Sequence, residues 1–216
     1  MTAPTAFVFD LDGVLTDTAE FHFRAWKRLA DENGLPFTRE DNDQLRGVDR
    51  RESLKRLLKG KIVPAAQFEA WLTLKNDYYR AFLTEVSPDY LLPGVDPFLK
   101  AAKAQGLKLG VASASKNALD VLGKLGILPL FDAVGDGFSV HNAKPAPDLF
   151  VWVAGRLNTP PMDTVIFEDA EAGVDAAIQS GMHSVGIGPV ERVGRAQIVV
   201  SGFTELTVAD VLTRLS

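Results

Sequence analysis

One stretch near the start constrains this chain more than any other: Phe7-Val8-Phe9-Asp10-Leu11-Asp12-Gly13-Val14-Leu15-Thr16-Asp17-Thr18. The apolar run Phe7 to Phe9 is too short for a core helix and reads as a buried strand delivering Asp10 at its C-terminal end. Gly13 then supplies a residue that tolerates backbone angles others avoid, so the chain turns there. Asp10 and Asp12 are two residues apart, and the turn must bring both carboxylates to one mouth. Like charges about 4 Å apart repel by roughly 4 kcal/mol at an effective dielectric of ~20, so a compensating charge is required. A hard cation such as Mg2+ fits oxygen donors of this kind.

The rest of the chain divides into two textures. From Asp17 to about Asn33, Phe23, Trp26, Leu29 and Ala30 recur at helical spacing, with Gly34 at the C-terminal cap. Thr38 caps a short second helix, and Asp49-Arg50-Arg51-Glu52 reads as a capping box opening a third, with Leu54, Leu57 and Leu58 as its buried stripe. Pro64 starts a fourth, striped by Phe68, Trp71, Leu72, Lys75, Tyr78, Tyr79 and Phe82. After Pro93-Gly94, strands alternate with helices, the pattern of a parallel sheet covered on both faces. The strands are read at 107–112, 133–134, 164–167, 184–187 and 198–200, with helices at 118–125, 147–157 and 172–180. The first strand has no partner in the helical part and must join this sheet. The expected architecture is α/β: a Rossmann-like parallel core of residues 1–16 and 88–216, with residues 17–87 inserted as a helical cap domain.

Ligands collect at the C-terminal ends of parallel strands. The 107–112 strand ends in Ser113-Ala114-Ser115-Lys116-Asn117, where hydroxyls and amides can hold phosphate oxygens. Lys144, stiffened by Pro145 and Pro147, can set one positive charge on a transferring group. The 164–167 strand ends in Glu168-Asp169, two further hard oxygen donors.

Composition narrows the partners. The net charge of -5 disfavours a general nucleic-acid binder, which needs clustered Lys and Arg. There is no cysteine, so thiol chemistry is excluded. No basic leader and no apolar run of about 18 residues is visible, so no membrane is expected and a cytoplasmic protein is the default. We expect a monomer acting on small molecules.

In order and strand context, Asp10, Asp12, the Ser113 strand end, Lys144 and Glu168-Asp169 resemble the motifs of the haloacid dehalogenase superfamily of phosphoryl-transfer enzymes. The resemblance implies that Asp10 is the nucleophile and Asp12 the general acid/base. It implies Mg2+ held by Asp10, Glu168, Asp169 and the backbone carbonyl of Asp12, with Ser113 and Lys144 on the transferring phosphoryl group. The longer strings Asp17 to Lys27, Gly47-Val48-Asp49-Arg50, Ser113 to Asn117 and Lys144 to Asp148 are similar to those of the β-phosphoglucomutases, over essentially the whole chain and most weakly after Gly188. That family interconverts β-D-glucose 1-phosphate and D-glucose 6-phosphate through the 1,6-bisphosphate. The likeness implies sugar-phosphate contacts from Thr18, His22, Trp26, Arg46, Gly47, Arg50, Ser53, Lys75, Ala114, Ser115 and Asn117. Arg50 would grip the phosphate not being transferred. His22 would couple cap closure to Asp12. Ala170, Ala143 and Asp49 stand where Ser is common, and Arg46 where Lys is. A sugar-phosphate phosphatase of the same superfamily and a non-catalytic phosphate-binding protein are the alternatives.

Overall fold

Every side chain from Ala6 to Phe9 is buried, as a strand covered on both faces requires. In the computed structural model, which describes residues 3–216, this strand, β1 (Ala6–Phe9), is followed by five α-helices before the next strand, the first four being α1 (Ala19–Glu32), α2 (Arg39–Asp43), α3 (Arg50–Leu58) and α4 (Ala65–Phe82). Then come α5 (Val95–Ala104), β2 (Lys108–Ala112), α6 (Ala118–Lys124), β3 (Ala133–Gly135), α7 (Asp148–Arg156), β4 (Thr164–Glu168), α8 (Glu171–Gln179), β5 (His183–Ile187), α9 (Val190–Val193), β6 (Ile198–Val200) and α10 (Val208–Arg214). The six strands form one sheet in the order β3-β2-β1-β4-β5-β6, and every pairing is parallel. This is the α/β architecture expected from the alternating pattern.

Strand alternation sorts the core into two faces. Ala6 and Val8 face α7 and α8 among Phe150, Val153, Ile166 and Ala176. Phe7 and Phe9 face α5, α6 and α10 within an aromatic cluster that includes Phe98, Phe167 and Phe203. There Phe9 and Phe167 stack at 4.6 Å and Phe98 meets Phe203 at 4.9 Å. Burying each such ring stabilises the fold by about 1.5–3 kcal/mol. On the opposite face, α7 approaches so closely that a Cβ at Gly110 would stand 2.6 Å from Val153.

The inserted helices have their own core of Trp26, Leu29, Leu54, Leu57 and Trp71. The outgoing and returning chains run side by side: Leu92 N–H donates to Leu15 O at 3.0 Å and Thr16 Oγ1 to Tyr90 O at 2.7 Å. Among the described residues no helix is long and apolar enough to cross a membrane.

Element positions agree with the sequence reading to within a residue or two, with three additions and one correction. Helices α5, α9 and α10 were not anticipated. The cap of α3 is one-sided: Asp49 accepts from Arg51 N and Glu52 N, while Glu52 pairs with Arg56 and Lys55 instead of reaching back. The reciprocal box occurs at Thr38 and Asp41 on α2.

Candidate active site

Because β1 lies between β2 and β4, the carboxyl ends of all three strands meet at one place. Asp10 N–H extends the ladder to Phe167 O at 2.9 Å, which sets the buried Asp10 beside Glu168. The chain then turns at Gly13, whose φ is +87°. A Cβ there would stand 2.4 Å from Asp169 Oδ2, so glycine is demanded by both backbone angle and space.

Lys144 joins these strand ends. Its fully buried Nζ donates to Asp10 Oδ1 at 2.6 Å, to Ala112 O at 3.1 Å and to Glu168. Burial alone would lower the lysine pKa, but the charges of Asp10 and Glu168 outweigh it and raise the pKa above the ordinary value. Burial, against the pull of Lys144, pushes Glu168 up to about 8. Asp169 is pushed up to about 7, by burial first and then by Asp10.

Carboxylate oxygens of Asp10, Glu168 and Asp169 lie within 4.8 Å of one another. Three buried, hard oxygen donors held this close suit a small divalent cation such as Mg2+. The carboxylate of Asp12 is not part of the cluster. It accepts from Thr18 Oγ1 at one oxygen and faces His22 Nε2 at 3.8 Å with the other. Burial, then the charge of Asp10, pushes Asp12 up to about 7, against the bond from Thr18. A carboxyl at that value can take up and release a proton near neutral pH.

A cavity of about 570 Å3 separates these groups from the insertion. Asp10, Asp12, Ser113, Ala114, Ser115, Lys144 and Asp169 line its floor, while His22, Trp26, Arg46, Gly47, Arg50, Ser53 and Lys75 line its roof. The strand-end serines are pre-set by local bonds: Ser113 Oγ accepts from Ser115 N at 3.1 Å, and Ser115 Oγ from Asn117 N at 3.2 Å. Asn117 stands behind them and donates its amide to Asn76 Oδ1 of α4 at 3.0 Å, tying core to insertion.

On the roof, Arg50 has no ion pair among the described residues, although it is half-buried. Trp26 is almost wholly within the insertion core. Ser53 is buried and donates to Asp49 O at 2.8 Å. Lys75 is buried too, with Nζ 2.8 Å from His22 Nδ1 and 4.9 Å from the ring centres of both Trp26 and Tyr79. Burial and the charge of Arg50 hold the Lys75 pKa well below its ordinary value. Burial and the charges of Lys75 and Arg50 likewise hold the His22 pKa well below its ordinary value. Thr18 is buried at the start of α1, and Arg46 Nη1 donates to Asp169 Oδ2 at 3.2 Å.

Two contributors escaped the sequence reading. Tyr79 was read as a stripe residue only, yet its hydroxyl donates to Thr18 Oγ1 at 3.3 Å and its ring stacks on His22 at 4.1 Å. Arg192, from α9, donates Nε–H to the carbonyl of Asp169 at 2.6 Å. The helical stripe carried a signal for Tyr79, whereas no local pattern marks Arg192.

The model of the haloacid dehalogenase-like hydrolase family matches residues 4–181. The chain is 39% identical to the β-phosphoglucomutase of Bacillus subtilis (strain 168), over 94% of this chain and 92% of that protein. It is 32% identical, over 83% of each, to a phosphorylated carbohydrates phosphatase of Thermotoga maritima. A crystal structure of β-phosphoglucomutase from Clostridium difficile superimposes with a TM-score of 0.95 at 36% identity, over 98% of this chain and 97% of that one. The chain belongs to the haloacid dehalogenase-like hydrolase family and, within it, to the β-phosphoglucomutase family.

Proposed function

We propose that this protein is a β-phosphoglucomutase, interconverting β-D-glucose 1-phosphate and D-glucose 6-phosphate through β-D-glucose 1,6-bisphosphate. The observation that carries the reading is that anion-holding groups line both walls of one cavity. Asp10, Ser113 and Lys144 lie on the floor, and the unpaired Arg50 lies on the roof. A mutase that moves phosphate from one end of a sugar to the other needs a grip on both ends. A simple phosphatase needs only the floor.

In this mechanism Asp10 attacks the phosphorus and becomes a phosphoaspartate. Ser113 and Lys144 hold the transferring oxygens, and Arg50 holds the second phosphate with Ser115 beside it, Asn117 bracing the Ser115 hydroxyl from behind through its backbone N–H. Asp12 takes the proton from the attacking sugar hydroxyl and returns it to the leaving oxygen in the next half-reaction, an effect of about 10²- to 10⁴-fold. Thr18 and His22, which engage the carboxylate of Asp12, belong to the insertion. We therefore assign residues 17–87 as a cap domain that positions the acid/base only when it closes over the substrate. The bisphosphate turns end over end between the two transfers.

Asp10, Glu168 and Asp169 would hold Mg2+, with the Asp12 carbonyl as a further ligand. Bound there, Mg2+ would screen the carboxylates from the incoming phosphate and stabilise charge in the transfer.

The phosphatase relative keeps one rival in play, with water in place of the sugar hydroxyl. Incubation with β-D-glucose 1-phosphate, Mg2+ and a trace of the bisphosphate separates the two. A mutase yields D-glucose 6-phosphate with little inorganic phosphate, and stoichiometric phosphate release without the isomer would reject the reading.

A further inference from the structure

The turn from β4 to α8 carries Glu168 and Asp169, and it lacks a hydroxyl where one is common: Ala170 is the N-cap of α8 and makes no side-chain cap. Arg192 approaches this turn from the neighbouring strand β5 and short α9. Its Nε–H donates to the backbone carbonyl of Asp169 at 2.6 Å, and a terminal guanidinium nitrogen lies 3.8 Å from Asp169 Oδ2. Gly188 makes room for it: φ there is +126°, and a Cβ would stand 2.9 Å from that nitrogen. The Arg192 side chain is only about one-third exposed. The other cation on Asp169 is Arg46, which comes from the insertion, whereas Arg192 is part of the same sheet-bearing unit as the carboxylate.

We infer that Arg192 is a positioning residue for divalent-cation binding, fixing the Asp169 peptide so that its carboxylate stays directed at Asp10 and Glu168. The inference rests on the metal site proposed above. The two ends of the guanidinium act in opposite senses. Its charge competes with a cation for Asp169 Oδ2, while its Nε–H bond holds the ligand in place. The bond is the closer contact, by 2.6 Å to 3.8 Å, and residues that orient metal ligands commonly govern 10- to 100-fold in affinity.

Two substitutions separate the senses. Arg192→Met keeps the bulk and removes both donor and charge. Arg192→Gln removes the charge but keeps an N–H on the same side-chain position as Nε. Free Mn2+ is titrated with each protein, without substrate, and followed by electron paramagnetic resonance, with melting temperature measured in parallel. Arg192→Met is expected to weaken Mn2+ binding about tenfold or more, and Arg192→Gln to bind within a few-fold of the unsubstituted protein. Unchanged or tighter binding by Arg192→Met, equal weakening in both variants, or failure of Arg192→Met to fold would each overturn the inference. A protein with Arg192 intact that binds no Mn2+ would reject the metal site itself.

Discussion

Raising the pH from 6 to 8 should tighten divalent-cation binding steeply, because the metal-free site holds its carboxyls partly protonated. Burial pushes Glu168 up to about 8 and Asp169 to about 7. A cation that takes these oxygens must displace their protons, and each proton displaced changes apparent affinity by about tenfold per pH unit, or ~1.4 kcal/mol. Between pH 6 and 7 both groups contribute, giving up to ~100-fold, and between 7 and 8 the Glu168 proton leaves about tenfold more. Isothermal titration in buffers of different ionisation enthalpy reads affinity and released protons together. The same shifts act on stability. Both folded values lie above the ordinary 4.5 and 3.8, so the metal-free fold binds more protons than the unfolded chain between about pH 4 and 8. Their contribution to stability is fully present at low pH and is lost as pH rises through 7 and 8. Metal offsets part of that loss: at 100 times its dissociation constant it adds about 2.7 kcal/mol, or roughly 5–10 °C in melting temperature for a chain of this size. Affinity that stays flat from pH 6 to 8, with no proton released, would refute the protonated-site picture.

Asp10→Asn should leave folding intact and reduce turnover below about a thousandth, since the amide is nearly isosteric but a poor nucleophile; steady-state assay beside circular dichroism checks both halves. Arg50→Ala should cut mutase turnover severely yet spare hydrolysis of acetyl phosphate, which carries no second phosphate to grip; equal loss on both substrates would remove Arg50 from the phosphate site. Lys144→Ala strands Asp10 and Glu168 without their buried cation and should cost about 3–5 kcal/mol by urea denaturation at pH 8, with Mg2+ recovering part of it.

The fold was legible because its signals were local. Phe7 to Phe9 with Asp10 marks a covered strand and its end, and Ile198 to Val200 was placed to the residue. What escaped had weaker or masked signals. Helix α5 contains Pro97 near its start, and its stripe of Val95, Phe98, Leu99 and Ala102 becomes obvious only once α5 is seen to cover the Phe7 face. Helix α10 begins with the Thr207–Asp210 capping box, a readable signal lost in the tail where the resemblance fades. The site divides in the same way. Strand-end residues are found by position, because a parallel sheet sends every C-terminal end to one side. Distant partners are not: nothing near Arg192 in sequence announces that it will reach Asp169, and Tyr79 looks like any apolar-stripe aromatic until its hydroxyl is placed against Thr18.

The fate of the phosphoaspartate tests the mutase reading most directly. Enzyme phosphorylated at Asp10 is mixed with β-D-glucose 1-phosphate in a rapid-quench device, and bisphosphate and inorganic phosphate are counted over the first turnover. A mutase in which Asp12 activates the sugar hydroxyl passes the phosphoryl group to sugar far faster than to water, and Asp12→Asn slows that transfer by about 10²- to 10⁴-fold. Bisphosphate should therefore appear before free phosphate in the unsubstituted enzyme. Discharge to water at a comparable rate, with no bisphosphate formed, would contradict the mutase assignment and leave a phosphatase in its place.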